Sequence, residues 1–165
     1  MRWHVPFAAV LLAAGPASAD FSDGLEAYDA GRYSDALAEW RVLAADGHLE
    51  SMVAIAGLFE AGTGVARDHR QAALWYRRAA DCGHMVAQLN LGDLYIRGKG
   101  VERDLVSADV YLTLATLQGN SWARDRRAGI RAIMSAAQKA ASAARVSASS
   151  QRCGPFQDKA AGDGS

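Results

Sequence analysis

Four histidines and two cysteines carry the widest chemical repertoire in this 165-residue chain, and their spacing limits what they can do. His48 and His84 stand 36 residues apart, each directly after a glycine. In a chain whose structural unit has that length, they occupy the same corner of successive layers. Helix layers lie about 10 Å apart, whereas two ligands of one Zn²⁺ each sit about 2 Å from it. His69 has no sequence neighbour that could join it, and His4 falls in a terminal apolar run. No metal or cofactor site is expected. The motifs H-E-x-x-H, C-x-x-C, G-x-S-x-G and S-x-x-K are all absent. Gly92 to Gly98-Lys99 looks like a phosphate loop, but its spacing is one residue too long and Gly100 stands where a Ser or Thr is needed. No catalytic residue is therefore assigned, and an enzyme is not expected. Nucleic acid is not expected either, because the Arg-rich stretch after residue 120 has no aromatic interleaving apart from Trp122. Cys82 and Cys153 remain as a candidate disulfide, which needs Cα atoms within about 7 Å.

The elements behind these residues repeat. Gly62-Thr63-Gly64-Val65-Ala66-Arg67-Asp68 returns 36 residues later as Gly98-Lys99-Gly100-Val101-Glu102-Arg103-Asp104. At the same offset Leu58 matches Leu94, Ala72 matches Ala108, Ala79 matches Ala115 and Gly83 matches Gly119. A fixed period of this size marks a solenoid, whose units cannot bury their apolar faces alone. Asp68 and Asp104 are predicted helix N-caps, with Gln71 reaching back to Asp68. Gly47, Gly83 and Gly119 are predicted to end helices. The G-x-G pairs are predicted to turn the chain at positive φ. The helices expected are 22–30 and 34–46, 49–61 and 69–82, 85–97 and 105–118, and a last pair at 121–133 and 135–149. Met134-Ser135 ends one helix and caps the next. The alanines of the repeat allow close helix approach, while Leu58, Phe59, Trp75, Leu94, Tyr95 and Tyr111 fill the space between layers.

The ends read differently. Residues 1–19 combine Arg2, an apolar run, Pro16 and Ala17-Ser18-Ala19, the pattern of a secretory signal peptide cleaved before Asp20. A periplasmic or secreted protein follows, with no lipoprotein cysteine near the cleavage site and no stable membrane insertion after cleavage. An oxidising compartment suits the Cys82–Cys153 pair. Residues 153–165 are expected to form a flexible tail. Charge is uneven: between Asp20 and Ala66 nine acids face Arg32 and Arg41. Between Asn120 and Arg152 seven bases face only Asp125. Solvated helix faces account for this; a sharper alternative is a basic end that attracts an anionic partner.

The G-x-G-V-x-x-D turn, the following Ala, the aromatic pair and the closing Gly resemble the Sel1-like repeat, a relative of the tetratricopeptide repeat. The resemblance implies an all-α solenoid of antiparallel helix pairs wound into a right-handed superhelix. The repeats would be about 22–47, 48–83 and 84–119, with capping helices at 120–149, in a domain of residues 20–152. It further implies protein–protein interaction: an exported adaptor or regulator in envelope signalling or in exopolysaccharide or envelope assembly. Alternatives are a module binding peptidoglycan or another anionic glycan, and a β-lactamase-like enzyme of the cysteine-rich kind, whose cysteine pair per repeat this chain lacks. Carrying the concave positions of tetratricopeptide arrays onto this chain selects Val53 and Glu60, then Val86, Leu89, Asp93 and Arg97, then Trp122 and Asp125. These are the expected partner-binding residues.

Overall fold

In the computed structural model, residues 20–149 are described. Among them the chain forms eight helices and no strand: α1 (Phe21–Asp29), α2 (Tyr33–Ala45), α3 (Leu49–Ala61), α4 (His69–Asp81), α5 (Met85–Arg97), α6 (Leu105–Leu117), α7 (Ser121–Ile133) and α8 (Ala136–Ala148). Each bound lies within a residue of expectation, because caps and glycines set the ends. Residues 1–19, expected to be a signal peptide, and Cys153 with the expected tail fall outside the described residues.

Two kinds of N-cap alternate along the solenoid. Asp68 and Asp104 each accept from two backbone N–H groups of the helix that follows, α4 and α6. The expected return contact from Gln71 is not formed. The Asp68 N–H it would take already donates to Phe59 O at 2.9 Å, as the Asp104 N–H does to Tyr95 O at 3.1 Å. Reciprocal capping boxes occur instead at Asp20/Asp23 and Ser135/Gln138. The other corner is capped by His48, His84 and Asn120, which accept from Ser51, Ala87 and Ala123 N–H. His48 and His84, at the same corner of successive layers, are thus helix caps, with Asn120 in the same role one repeat on.

The G-x-G glycines have separate tasks. Gly62 and Gly98 close α3 and α5 in the left-handed conformation, at φ 75° and 65°. Gly100 also has positive φ (69°), and a Cβ there would lie 2.0 Å from His69 O, at the start of the preceding layer's α4. The turn therefore sets the distance between layers as well as the direction of the chain.

Ala72, Ala79, Ala108 and Ala115 are fully buried, as close approach requires. Gly92 admits the Leu112 side chain, which would stand 2.9 Å from an added Cβ. One apolar cluster runs from α1 into α5, and a second joins α6 to α7, with Tyr95 packed against both.

The terminal unit departs from expectation. α7 packs on α6 in the normal manner, but α8 makes its main contact with α6 rather than pairing with α7. Met134 and Ser135 are both extended (ψ 141° and 163°), so the chain crosses from α7 to α8 in two residues, without the glycine loop that folds the other pairs into hairpins. Met134 is buried in the second cluster and Ser142 is buried along α8. The last two helices cap α6 from two sides.

Candidate interaction surface

The expected binding residues occupy the first helices of successive pairs, and the structure divides them. Val53 is half-buried against the main core, and Leu89 is half-buried against the second cluster. Glu60 accepts the Tyr76 hydroxyl at 3.0 Å. Burial, then the Glu60 charge, pushes the Tyr76 hydroxyl far above the ordinary tyrosine range, so it stays a donor. Asp93 is held by Arg97 at 2.8 Å and by Arg126 of α7 at 3.2 Å. Arg97 is exposed, Val86 is 40% exposed, and Trp122 is 75% exposed. Asp125 is exposed, with Arg124 3.9 Å away.

The 36-residue register aligns Val86 with Trp122, Leu89 with Asp125, Asp93 with Gly129 and Arg97 with Ile133. Ile133, 67% exposed, was not singled out from the sequence. The signal was available: it stands one period after Arg97. Trp122 and Ile133 are eleven residues apart, which returns a helix to nearly the same face, about 16 Å along its axis. Between them Gly129 leaves open space, with no atom within 4 Å of an added Cβ. Neither packing nor positive φ demands glycine there, although it weakens a helix interior by about 1 kcal/mol relative to Ala.

The uneven charge has an internal explanation. Arg127 and Arg131 converge on the fully buried Asp109 of α6, at 3.0 and 2.7 Å. Arg126 reaches Asp93, and Arg145 of α8 donates to Ser107 Oγ at 3.2 Å, 3.9 Å from Asp104. Four bases of the terminal unit are thus counterions for acids of the preceding repeat. Burial raises the Asp104 carboxyl, but the hydrogen bond from Ser107, the Ser107 and Val106 N–H groups and the Arg145 charge outweigh it, leaving it below the usual range.

Tyr111 donates to Asp81 at 2.9 Å, and Arg77 donates to Tyr95, which stacks on Tyr111 at 6.1 Å between ring centroids. Burial and then the Asp81 charge push the Tyr111 hydroxyl far above its ordinary range. Cys82 ends α4, while Cys153 lies outside the described residues. Among the described residues, no group of three or more His, Cys, Asp or Glu could hold a metal ion. None of the described helices is long and apolar enough to cross a membrane.

Paired helices stacked at a fixed period, with positive-φ turns between them, define an α-solenoid of the helical-repeat class. The Sel1 repeat family model matches residues 49–84 and 86–120, so this part of the chain carries two Sel1 repeats, modules that generally mediate protein interaction. The fold is similar to a protective antigen present in uropathogenic Escherichia coli strains, which displays an SLR fold, with 28% identity and a TM-score of 0.71. That match covers 76% of this chain and 28% of the antigen. It is also similar to a Sel1 repeat protein from Oxalobacter formigenes, with 29% identity and a TM-score of 0.62, over 66% of this chain and 44% of that one. The chain therefore spans less than half the length of either structure. No curated protein matches it.

Proposed function

We propose that this protein is an exported adaptor that docks a protein partner along the row formed by α5 and α7, acting in envelope signalling or assembly. The observation that carries the docking reading is the pair of exposed apolar residues, Trp122 and Ile133, on one face of α7 beside the Asp93–Arg97 ion pair. Apolar anchors within a charged rim are the composition of protein interfaces. Gly129 between them lets a partner's backbone approach closely. Export rests on the signal-like residues 1–19. The anionic-glycan alternative is weakened because Arg126, Arg127, Arg131 and Arg145 already face carboxylates or hydroxyls of the chain itself.

The test is capture from envelope extract at two salt concentrations, with Trp122→Ala, Arg97→Glu and, as control on α2, Arg41→Glu. Asp93→Arg is avoided because it would also break the contact with Arg126. The reading expects one partner to be lost with Trp122→Ala and retained with Arg41→Glu, and to survive high salt. A ligand that is a polymer released by salt, and indifferent to Trp122, would establish the glycan alternative. Cell fractionation and N-terminal sequencing test export separately; a cytoplasmic protein that keeps Met1 overturns it.

A further inference from the structure

A cleft of about 490 Å³ lies where α4 and α5 meet the G-x-G turn that leads into α6. It is lined by Arg77 of α4, Tyr95 of α5 and the turn residues Val101 to Asp104, a size that suits a small ligand. Its hydrogen-bonding groups do not balance. Arg77 is half-buried and, among the described residues, forms no ion pair. It donates to the Tyr95 hydroxyl and stands over that ring, 5.8 Å from the centroid, which leaves most of its N–H donors unused. The Tyr95 oxygen receives this bond, while its own proton has no acceptor among the described residues. Arg103 donates from Nε to Ile96 O at 3.1 Å, which holds the guanidinium plane and leaves the terminal N–H groups unclaimed.

The acids of the cleft do not answer these donors. Asp104 accepts from the Val106 and Ser107 N–H groups and the Ser107 hydroxyl, with Arg145 3.9 Å away. Glu102 is exposed and forms no ion pair among the described residues. With Asp104 already answered, Arg77 and Arg103 against Glu102 leave a single surplus positive charge. A half-buried cation without a counterion is unfavourable, and a guanidinium fork matches a carboxylate in shape and charge. The neighbouring layers lack this set. Thirty-six residues earlier the places of Arg77, Tyr95 and Arg103 are held by Arg41, Phe59 and Arg67, without the hydroxyl. One period later they are held by Thr113, Arg131 and Lys139, and Arg131 is bound to Asp109.

We propose that this cleft binds a carboxylate monoanion carried on a small apolar group, held by Arg77 and Arg103 and accepting the Tyr95 hydroxyl proton. Val101, partly buried against the main core, supplies the apolar contact. Glu102 and Asp104 disfavour a dianion such as phosphate. A free organic acid and the terminal carboxylate of a peptide share this chemistry. The site uses no residue of α7, so its failure leaves the docking and export readings standing, and theirs leaves it standing.

The full chain, labelled with ¹⁵N, is titrated with butyrate for the free acid, N-acetylalanine for a peptide end, and inorganic phosphate, at constant ionic strength in chloride. The Nε–H signals of Arg77 and Arg103 are followed by NMR. Both carboxylates are expected to give saturable shifts, and the one that saturates at lower concentration identifies the source. Tyr95→Phe, which reproduces Phe59 of the preceding repeat and should keep helicity and melting unchanged, weakens binding about fivefold. Arg77→Gln weakens it about tenfold or more. Glu102→Gln tightens it, and Arg67→Gln, at the equivalent turn, leaves it unchanged. Shifts that do not saturate, or that are equal in every variant, would mean an adventitious ion only and overturn the proposal. Tighter binding of phosphate than of either carboxylate overturns it too, as does a loss with Arg67→Gln equal to that with Arg77→Gln.

Discussion

Asp109 offers the sharpest perturbation, because its carboxylate is fully buried and answered by two guanidiniums from α7. Arg127 and Arg131 are each about one-third exposed, so they can turn toward water when Asp109 is lost. Asp109 cannot do the same when they are lost. Hydrogen bonds to charged groups are worth roughly 1.5–3 kcal/mol each, offset in part by desolvation that is no longer suffered. Asp109→Asn should therefore cost about 2–3 kcal/mol. Arg127→Met with Arg131→Met leaves an uncompensated buried charge and should cost more, about 3–5 kcal/mol. Adding Asp109→Leu to that pair should restore stability, since an apolar replacement of a buried ion cluster is often neutral or better. In a solenoid the loss begins at the end of the array, so amide exchange in α7 and α8 should accelerate while α3 and α4 stay protected. Urea unfolding and exchange by mass spectrometry measure both effects. Asp109→Asn within about 0.5 kcal/mol of wild type, or a triple variant weaker than the double, would refute the reasoning.

Three further outcomes follow from local geometry. Gly100→Val should destabilise by more than the roughly 1–3 kcal/mol of backbone strain alone, because its Cβ would also meet His69 O; thermal melts check this. Gly129→Ala, in open space on α7, should instead stabilise by about 0.5–1 kcal/mol in the same melts, and a loss would show that the helix needs glycine there. The Asp104 carboxyl is depressed by folding, so its stabilising contribution is fully present above the unfolded carboxylate value of about 4 and disappears as pH falls through the lower folded value. Asp104→Asn, which still caps α6, should flatten the decline in unfolding free energy between pH 5 and pH 2 (about the acid window of a carboxylate), as followed by circular dichroism.

The helices were legible in the sequence because their signals are local. Asp68 and Asp104 cap, Gly62 and Gly98 turn, and the 36-residue register repeats both. The register even locates Ile133 once Arg97 is placed on the row. The capping by His48 and His84 was readable in principle from their alignment with Asn120, an ordinary N-cap residue. Three features depend on contacts distant in sequence. The Asp68 N–H is taken by Phe59, which leaves Gln71 without its expected role. The bases after Asn120 look like a charged end when counted by segment, yet Arg126, Arg127 and Arg131 close on Asp93 and Asp109 across a helix junction. Met134 and Ser135 mark a boundary between helices, but their extended backbone is what swings α8 onto α6. Sequence determined the repeats and the caps, because each rests on neighbours within a few residues. Only tertiary structure decided which charges are spent internally and which surfaces stay open, because burial and pairing are set by whatever the chain brings alongside.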